Sequence, residues 1–366
     1  MKSVIAGQRT PWLYDENGYL NWDNIYNVEE LMELDTPINF FFIVGARGTG
    51  KTYGALKWML DNGRCFFYGR RTQNEAQVSL SDEMGEFSKI SRDNPDNPDY
   101  LIRFQDIPKA DGFKLMYHVG SDGENVGNRV GIGGPMMSMQ KIRGYNCSDI
   151  SDIFYDEFIP EKHVRRIRDE GDGIKNAYET INRNRELAGE PPVRLTLAAN
   201  ANTIDNDVLI SWKLCNIVGR MQAEKREVYA IPERHIVIIQ PFYSPIAEKK
   251  KETALYQACG EDSFSEMALG NKFADADMSF IHSRNLAEYK PLLSIGELNI
   301  YKHKSSNRYY ATPHRSGNPP TYATTAVGIR SLQQRWLWLQ SYYLDGLIDC
   351  ETLASQMLFE KFFNIK

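Results

Sequence analysis

The sequence of 366 residues lacks the features that mark secreted, membrane-spanning and zinc-binding proteins. Its five cysteines are odd in number, scattered, and never spaced as C-x-x-C, which favours reduced thiols over a disulfide framework or a zinc site. The six histidines show no metal-ligand spacing. There is no apolar run of about 18 residues and no charged-then-apolar signal at the N-terminus, so we expect neither membrane spanning nor secretion.

The composition is typical of a soluble globular protein, with 42% hydrophobic and 25% charged residues. The length leaves room for two domains, or for one large domain with an appendage. The net charge of −5 does not by itself suggest a nucleic-acid partner. This average hides an asymmetry, because residues 298–344 contain no aspartate or glutamate.

A glycine-rich segment follows a hydrophobic run at residues 38–44 and precedes a helix-like pattern. This order of strand, glycine-rich loop and helix is typical of a nucleotide-binding P-loop. The pattern G-x-x-x-x-G-K-T comprises Gly45, Ala46, Arg47, Gly48, Thr49, Gly50, Lys51 and Thr52. A strand-to-helix turn with two convenient glycines is the alternative, but the matching strand and helix on either side favour a nucleoside triphosphate site.

Each part of this loop has a chemical role in phosphate binding. Glycine lets the backbone wrap closely, so that amide N–H groups and the helix N-terminus face the phosphate charge. Lys51 would reach the β- and γ-phosphates, and the Thr52 hydroxyl would be a Mg²⁺ ligand. ATP and Mg²⁺ are therefore the predicted cofactors.

A second hydrophobic strand, within residues 150–157, ends in two carboxylates. In a parallel sheet the C-terminal end of this strand would face the P-loop. Asp156 would bind Mg²⁺ through water, and Glu157 would orient and deprotonate the attacking water. An apolar run followed by Asp-Glu also fits an acidic loop after a buried strand. The P-loop earlier in the chain favours the catalytic interpretation.

The remaining apolar segments predict a mainly parallel α/β sheet flanked by helices. Asn200, at a strand end beside the P-loop, would be placed to sense a γ-phosphate, although a strand-terminating turn explains it nearly as well. A helix is predicted over residues 174–188. The predicted strands are 64–69, 194–200 and 235–240, with a hairpin whose arms are 113–119 and 125–132 and whose turn is Asp122-Gly123.

These elements together resemble the genome-packaging ATPases of small tailed phages, the φ29-type DNA packaging motors. The matched motifs keep the order and approximate spacing of that family over residues 38–201. The block at 183–186, at this distance after the acidic strand, makes the match specific. The motifs are Gly-Ala-Arg-Gly-x-Gly-Lys at 45–51, the aromatic strand ending in Arg70-Arg71, Phe154-x-Asp156-Glu157-Phe158-Ile159, Arg183-Asn184-Arg185-Glu186, and the strand ending in Asn200-Ala201.

The resemblance implies an ATP-hydrolysing motor that translocates double-stranded viral DNA into a preformed prohead. The fold would be a P-loop NTPase of the additional-strand, catalytic-glutamate (ASCE) type. A smaller C-terminal α+β domain, like an RNase H-type nuclease that has lost its activity, would follow. The resemblance also implies a homo-oligomeric ring of five subunits docked on the phage portal in the host cytoplasm, with a packaging RNA as a further candidate partner.

Several basic residues take their expected roles from the same resemblance. Arg183 matches the arginine finger that reaches the neighbouring subunit's γ-phosphate, and Arg185 is its competitor for that role. Without the resemblance, both would be interpreted as a solvated helix end. Further candidates for contacts with a neighbouring subunit or with DNA are Lys141, Arg143, Arg70 and Arg71.

Four regions are predicted along the chain. They are an N-terminal extension packed on the ATPase domain (1–36), the P-loop ATPase domain (37–243), a helical linker subdomain (244–275) and a C-terminal nucleic-acid-binding domain (276–366). The lysine run of the linker, residues 249–251, is expected to be a solvated helix face.

The C-terminal domain is expected to be basic and inactive as a nuclease. Its acid-free stretch interleaves tyrosines with basic residues and could grip a phosphate backbone or a structural RNA. A two-metal nuclease needs several converging carboxylates. The nearby carboxylates are Glu288, Glu297, Asp345 and Asp349.

Other functions remain open from the sequence alone. One is a terminase with an active DNA-cutting domain, against which the scarcity of carboxylates argues. Others are a nucleotide-gated DNA-binding switch and a scaffold that binds ATP without hydrolysing it. A switch needs no catalytic glutamate, and the guanine-specific signature Asn-Lys-x-Asp does not occur in the sequence.

Overall fold

The computed structural model describes residues 5–119, 126–161, 163–260, 263–273 and 280–365. The chain forms two compact units, Met1–Ser211 with Arg220–Ala274, and Trp212–Gly219 with Asp275–Lys366. Residues 244–273, expected to form a separate linker subdomain, fall within the first unit. The boundaries drawn from the sequence otherwise stay predictions.

The first unit is built on a nine-stranded sheet. Its strands are β1 (Phe40–Val44), β2 (Phe66–Arg70), β3 (Ile102–Asp106), β4 (Lys114–Val119), β5 (Val126–Pro135), β6 (Asp152–Asp156), β7 (Arg194–Ala199), β8 (Val228–Ile231) and β9 (Ile236–Ile239). Their spatial order is β3-β4-β5-β2-β6-β7-β1-β9-β8. The strands from β5 to β9 in this order run parallel, and β3, β4 and β8 pair antiparallel at the edges. The predicted mainly parallel α/β sheet is confirmed.

The central strands are covered on both faces. Every residue of β2 and of β6 is buried, which is the pattern of a parallel sheet packed between helices. Strand β7 lies between β1 and β6, and an extra strand at this place is the defining feature of the predicted ASCE type. Because the C-terminal ends of β1, β7 and β6 lie side by side, the residues that follow them meet at one edge of the sheet.

The predicted hairpin is formed by β4 and β5. The two strands pair antiparallel, from Lys114 opposite Gly133 to Val119 opposite Val126. Its predicted turn, Asp122-Gly123, lies outside the described residues.

Helices precede, connect and follow the strands of this sheet along the chain. The predicted helix 174–188 differs at both ends, because α6 begins at Glu170 and ends at Asn182. Arg183 has a φ angle of 48°, which no right-handed helix accommodates. The helices are α1 (Trp22–Tyr26), α2 (Val28–Met32), α3 (Lys51–Asp61), α4 (Gln73–Ser79), α5 (Glu86–Asp93), α6 (Glu170–Asn182), α7 (Asp207–Ser211), α8 (Cys215–Glu224), α9 (Pro245–Lys250), α10 (Ala254–Cys259) and α11 (Ser263–Ala268).

The N-terminal segment is anchored by a buried carboxylate. Glu227 is 0% exposed and accepts hydrogen bonds from the backbone N–H of Thr10 at 2.6 Å and of Tyr243 at 2.9 Å. It also accepts one from the Tyr14 hydroxyl. Burial raises the pKa of Glu227. A buried carboxylate depends on such donors, so these contacts fix residues 10–14 to the unit.

The second unit is α+β. Its strands are β10 (Tyr289–Ile295), β11 (Leu298–His303), β12 (Tyr309–Thr312), β13 (Thr321–Tyr322) and β14 (Ile348–Cys350), and its further helices are α12 (Ala326–Trp336), α13 (Leu339–Leu344) and α14 (Leu353–Phe362). The sheet order is β13-β10-β11-β12-β14. The likeness to an RNase H-type nuclease stays a prediction. Across the described ranges of both units, no helix is long and apolar enough to cross a lipid bilayer.

Candidate functional site

The loop between β1 and α3 has the backbone shape of a phosphate cradle. Gly48 and Gly50 have φ angles of 75° and 86°, a region that residues with a Cβ rarely adopt. A Cβ on Gly48 would lie 2.0 Å from Lys250 Nζ, so a side chain here would displace the end of Lys250. The loop leads into α3, whose first N–H groups carry partial positive charge. Loop and helix together supply the donors that a phosphate requires.

Lys51 lies against this loop at the start of α3. Its Nζ donates to the carbonyl oxygens of Gly45 at 3.0 Å and Ala46 at 2.7 Å, and to Asn200 Oδ1 at 2.9 Å. Burial lowers the pKa of Lys51 to about 8, because low-dielectric surroundings disfavour the ammonium. A polyphosphate beside Lys51 would offset that cost. Asn200, suggested as a γ-phosphate sensor, is in contact with Lys51, and its sensor role stays a prediction.

Thr52 and Asp156 join the start of α3 to the end of β6. The Thr52 hydroxyl donates to Asp156 Oδ2 at 2.9 Å. Burial raises the pKa of Asp156 to about 6. Hydroxyl and carboxylate oxygens are the hard ligands that Mg²⁺ prefers, and a bound cation would offset the burial of the carboxylate. The residues present therefore fit the predicted magnesium site.

Glu157 follows Asp156 at the same edge, with its side chain 52% exposed. Its φ angle of 57° lies in the left-handed region, where a non-glycine residue is strained. Backbone strain of this kind concentrates at functional sites. Because half of its side chain is exposed, the Glu157 carboxylate is open to water, as a general base requires.

Arg70, at the end of β2, bridges the two carboxylates. Its Nη1 donates to Asp156 Oδ2 at 2.7 Å and its Nη2 to Glu157 Oε2 at 2.7 Å. The Arg70 side chain is only 10% exposed. The guanidinium of Arg70 is thus held inside the candidate site, and its contact with DNA or a neighbouring subunit stays a prediction.

Arg71 is also buried. It donates through Nε and Nη2 to the two carboxylate oxygens of Glu170, both at 2.9 Å. Each side chain of this pair is 2% exposed. The Tyr155 hydroxyl donates to Glu170 at 2.6 Å. A buried bidentate pair with Glu170 holds Arg71 in this chain, and its contact with DNA or a neighbouring subunit stays a prediction.

The chain is similar to phage proteins in sequence. Residues 123–297 match the family described as Podovirus DNA encapsidation protein (Gp16). The DNA packaging protein of Bacillus phage phi29 is 25% identical over 266 residues, which cover 71% of this chain and 69% of that protein. The chain is therefore similar to phage DNA packaging proteins over about 70% of its length. The DNA packaging protein of Bacillus phage B103 is 26% identical over 262 residues, 70% of each chain.

Two solved structures are similar to this chain in fold. The bacteriophage phi29 viral genome packaging motor assembly matches with a TM-score of 0.60 and 20% identity, over 93% of this chain and 98% of that chain. The phi28 gp11 DNA packaging motor matches with a TM-score of 0.56 and 16% identity, over 92% of this chain and 97% of that chain. The resemblance to φ29-type packaging proteins is thereby confirmed.

The two candidate finger arginines have different surroundings. Arg183 is exposed, and its guanidinium donates to the carbonyl oxygens of Arg143 at 3.2 Å and Tyr145 at 3.1 Å. Arg185 is 16% exposed, and it donates to the carbonyl oxygen of Ile150 at 2.6 Å. Arg185 is therefore committed to its own subunit more completely than Arg183 is.

Lys141 and Arg143 lie on the segment that leads to β6. Both are exposed, and Lys141 Nζ donates to the carbonyl oxygen of Asp111 at 3.3 Å. Because Arg183 donates to the Arg143 carbonyl oxygen, Arg183 and Arg143 lie next to each other on one surface. Their roles between subunits stay predictions.

Sequence reasoning assigned no role to the N-terminal segment, yet this segment supports the P-loop. The backbone N–H of Leu20 donates to the carbonyl oxygen of Thr49 at 3.0 Å. Trp22 Nε1 donates to the carbonyl oxygen of Gly50, also at 3.0 Å. The only available signal was the density of tryptophan and tyrosine in residues 12–26, which indicates a packed segment but not what it packs on.

Sequence reasoning also missed Lys250, in the lysine run 249–251. Lys249 and Lys251 are exposed, as predicted for a solvated face, but Lys250 is partly buried and its Nζ donates to the carbonyl oxygen of Arg47 at 3.1 Å. Ala247, three residues earlier on α9, is buried. Since residues i and i+3 share a helix face, the apolar Ala247 three positions before Lys250 was the signal that the sequence offered.

The acid-free stretch of the second unit is packed differently from the prediction. Tyr301, Tyr309 and Tyr310 are buried, so they build the core and do not form an aromatic contact surface. Asp349, one of the few nearby carboxylates, is paired with Arg284 at 2.8 Å. Nucleic-acid binding by the basic side chains and the absence of nuclease activity stay predictions.

Proposed function

We propose that this chain is an ATP-hydrolysing motor that translocates double-stranded viral DNA into a preformed prohead. The observation that carries the proposal is that five side chains meet at the start of α3 and at the ends of β6 and β7. They combine phosphate-binding, cation-binding and proton-accepting chemistry at one edge of the sheet. The name of the relatives, DNA packaging protein, suggests the substrate. The five residues are Lys51, Thr52, Asp156, Glu157 and Asn200.

Each of these residues has a task in ATP hydrolysis. The loop amides and the Lys51 ammonium bind the phosphates and hold the terminal one in line with water. Thr52 and Asp156 hold Mg²⁺, which supplies charge neutralisation at the phosphate oxygens. Glu157 orients the attacking water and accepts its proton. Asn200, bonded to Lys51, senses whether a γ-phosphate is present.

The motor is proposed to work as a ring in which each subunit activates its neighbour. Arg183 would reach the γ-phosphate bound by the adjacent subunit, and a finger of this kind raises the rate of phosphoryl transfer by about 10³–10⁵. Its exposure and its unusual backbone, with φ 48° and ψ −128°, support this role. Arg185 is less suitable because the Ile150 carbonyl holds it. Lys141 and Arg143 are the next candidates.

The assembly partners follow from the resemblance to φ29-type motors. They are a phage portal on the prohead, double-stranded DNA, and as a further candidate a packaging RNA, with five copies of the chain in the ring. The motor would act in the host cytoplasm while docked on the prohead. The second unit would bind nucleic acid weakly through its basic side chains, without base specificity and with strong salt dependence.

The test is ATP hydrolysis by the purified chain, measured with and without double-stranded DNA and cognate proheads. We expect hydrolysis to rise when both are present, and the Lys51→Ala variant to stay inactive throughout. A scaffold that only binds ATP would show no stimulation by DNA, and a DNA-cutting terminase would nick plasmid DNA in Mn²⁺. Turnover that is indifferent to DNA and proheads contradicts the proposal.

The finger role is tested by mixing two inactive variants. An Arg183→Ala subunit keeps Glu157, and a Glu157→Gln subunit keeps Arg183, so a mixed ring contains some interfaces at which both groups are intact. Part of the ATPase activity should therefore return on mixing, because the transition state needs the water-orienting carboxylate and the cation together. If mixed rings form and no activity returns, the trans role of Arg183 is wrong, and Arg143 is the next residue to test.

A further inference from the structure

Part of the first unit lies directly on the P-loop. This covering segment, the described residues 245–260 and 263–273, packs Ala247 and Leu269 against Ala46 of the loop. The backbone N–H of Arg47 donates to the carbonyl oxygen of Ala268 at 2.9 Å. Asn271 Nδ2 donates to the carbonyl oxygen of Val44, the last residue of β1, at 2.8 Å. The covering segment is therefore fixed to the loop by apolar and polar contacts at several points.

These contacts bring the end of α9 to the middle of the loop. Lys250 Nζ donates to the carbonyl oxygen of Arg47 at 3.1 Å, and Lys51 Nζ donates to that of Ala46 at 2.7 Å. The two ammonium groups therefore donate to the carbonyl oxygens of two consecutive loop residues. Lys250 also lies against Gly48, where an added Cβ would stand 2.0 Å from its Nζ. The absence of a side chain at Gly48 leaves the room for this approach.

The loop is surrounded by positive charge. Burial lowers the pKa of Lys250, and the nearby Arg47 guanidinium lowers it further. Lys51 is a third cation at this loop, and the carboxylates of Asp156 and Glu157 attract it. Glu161 pairs with Arg47 and offsets one of the three positive charges. Cations gathered in this way repel one another, and a polyanion bound among them would relieve the repulsion.

We propose that Lys250 is a second phosphate-binding lysine, which binds the terminal phosphate of the nucleotide held by its own subunit. This inference rests on the proposed nucleotide site and adds a residue to it. The neighbouring lysines do not share the role, because Lys249 is exposed and Lys251 pairs with Glu248 on the surface at 2.6 Å. Since ADP lacks the terminal phosphate, Lys250 distinguishes ATP from ADP. It also transmits that difference to the covering segment, of which it is a part.

The experiment compares the affinities of the intact chain and its variants for Mg²⁺–AMP-PNP and Mg²⁺–ADP by calorimetry. Lys250→Gln should weaken AMP-PNP binding by about tenfold to a hundredfold, the range expected for one lost hydrogen bond to a charged group. ADP binding should change much less. Lys250→Arg should keep most of the AMP-PNP affinity, and Lys249→Gln, the matched control, should bind both nucleotides as the unmodified chain does.

Two outcomes overturn the inference. One is AMP-PNP binding by Lys250→Gln within twofold of the unmodified chain. The other is an equal loss of AMP-PNP and ADP affinity, which indicates that Lys250 only braces the loop through the Arg47 carbonyl. Failure of the motor proposal has a different signature, since the unmodified chain would then bind AMP-PNP more tightly than Lys250→Gln yet show no DNA-stimulated hydrolysis. An unmodified chain that binds neither nucleotide overturns both.

Discussion

Replacing Arg71 with methionine should strongly lower the stability of the first unit. The loss should be seen in the absence of DNA. The substitution removes the guanidinium from a pair in which both side chains are 2% exposed. Glu170 would keep only the Tyr155 hydroxyl, which donates at 2.6 Å. Breaking a buried ion pair from one side typically costs about 3–5 kcal/mol. Each kcal/mol shifts the midpoint of thermal unfolding by about 2–4 °C in a protein of this size, so we expect a drop of about 6–20 °C.

The assay is thermal unfolding of the intact chain, with two further variants as controls. Lys251→Met removes an exposed pair and should change stability by less than about 1 kcal/mol. The double variant Arg71→Met/Glu170→Met should be more stable than Arg71→Met alone, because no buried charge is left without a partner. This reasoning is refuted if Arg71→Met leaves the unfolding midpoint unchanged and weakens DNA binding. That result would support a contact between Arg71 and DNA.

Two further predictions concern the candidate site. Glu157→Gln should retain ATP and Mg²⁺ binding. Its rate of ATP hydrolysis should fall on the order of 10²-fold or more, the scale expected for loss of a general base. Near-normal turnover would show that Glu157 has no part in the mechanism. Trp22→Phe removes the donor to the Gly50 carbonyl, a bond of 3.0 Å, at a cost of about 1 kcal/mol. It should also weaken nucleotide binding measured by calorimetry, and an unchanged affinity would show that the N-terminal segment does not support the P-loop.

The parts of the site that could be predicted depend on local sequence. The P-loop is recognisable because its strand, glycines and lysine are contiguous, and Asp156 and Glu157 because they directly end an apolar strand. Asn200 was placed correctly beside the P-loop, since its strand also ends there. In each case the carboxyl end of a parallel strand fixes the edge of the sheet at which a residue lies.

The remaining parts depend on contacts between distant segments. Arg70 and Arg71 looked like surface groups because their partners lie 86 and 99 positions away. Only the pairing of β2 with β6 brings Arg70 to Asp156. Lys250 is 203 positions from the carbonyl that it contacts. No local pattern encodes such pairs, and the apolar Ala247 on the same helix face was the one local sign against a fully solvated Lys250.

The most direct test of the central claim is DNA packaging itself. Cognate proheads, double-stranded DNA and ATP are incubated with the purified chain, and the DNA that becomes protected from added nuclease is measured. The account predicts protection that requires ATP and the unmodified chain and is lost with Glu157→Gln. Full protection with Glu157→Gln, or no protection with an unmodified chain that hydrolyses ATP and is bound to proheads, would contradict it.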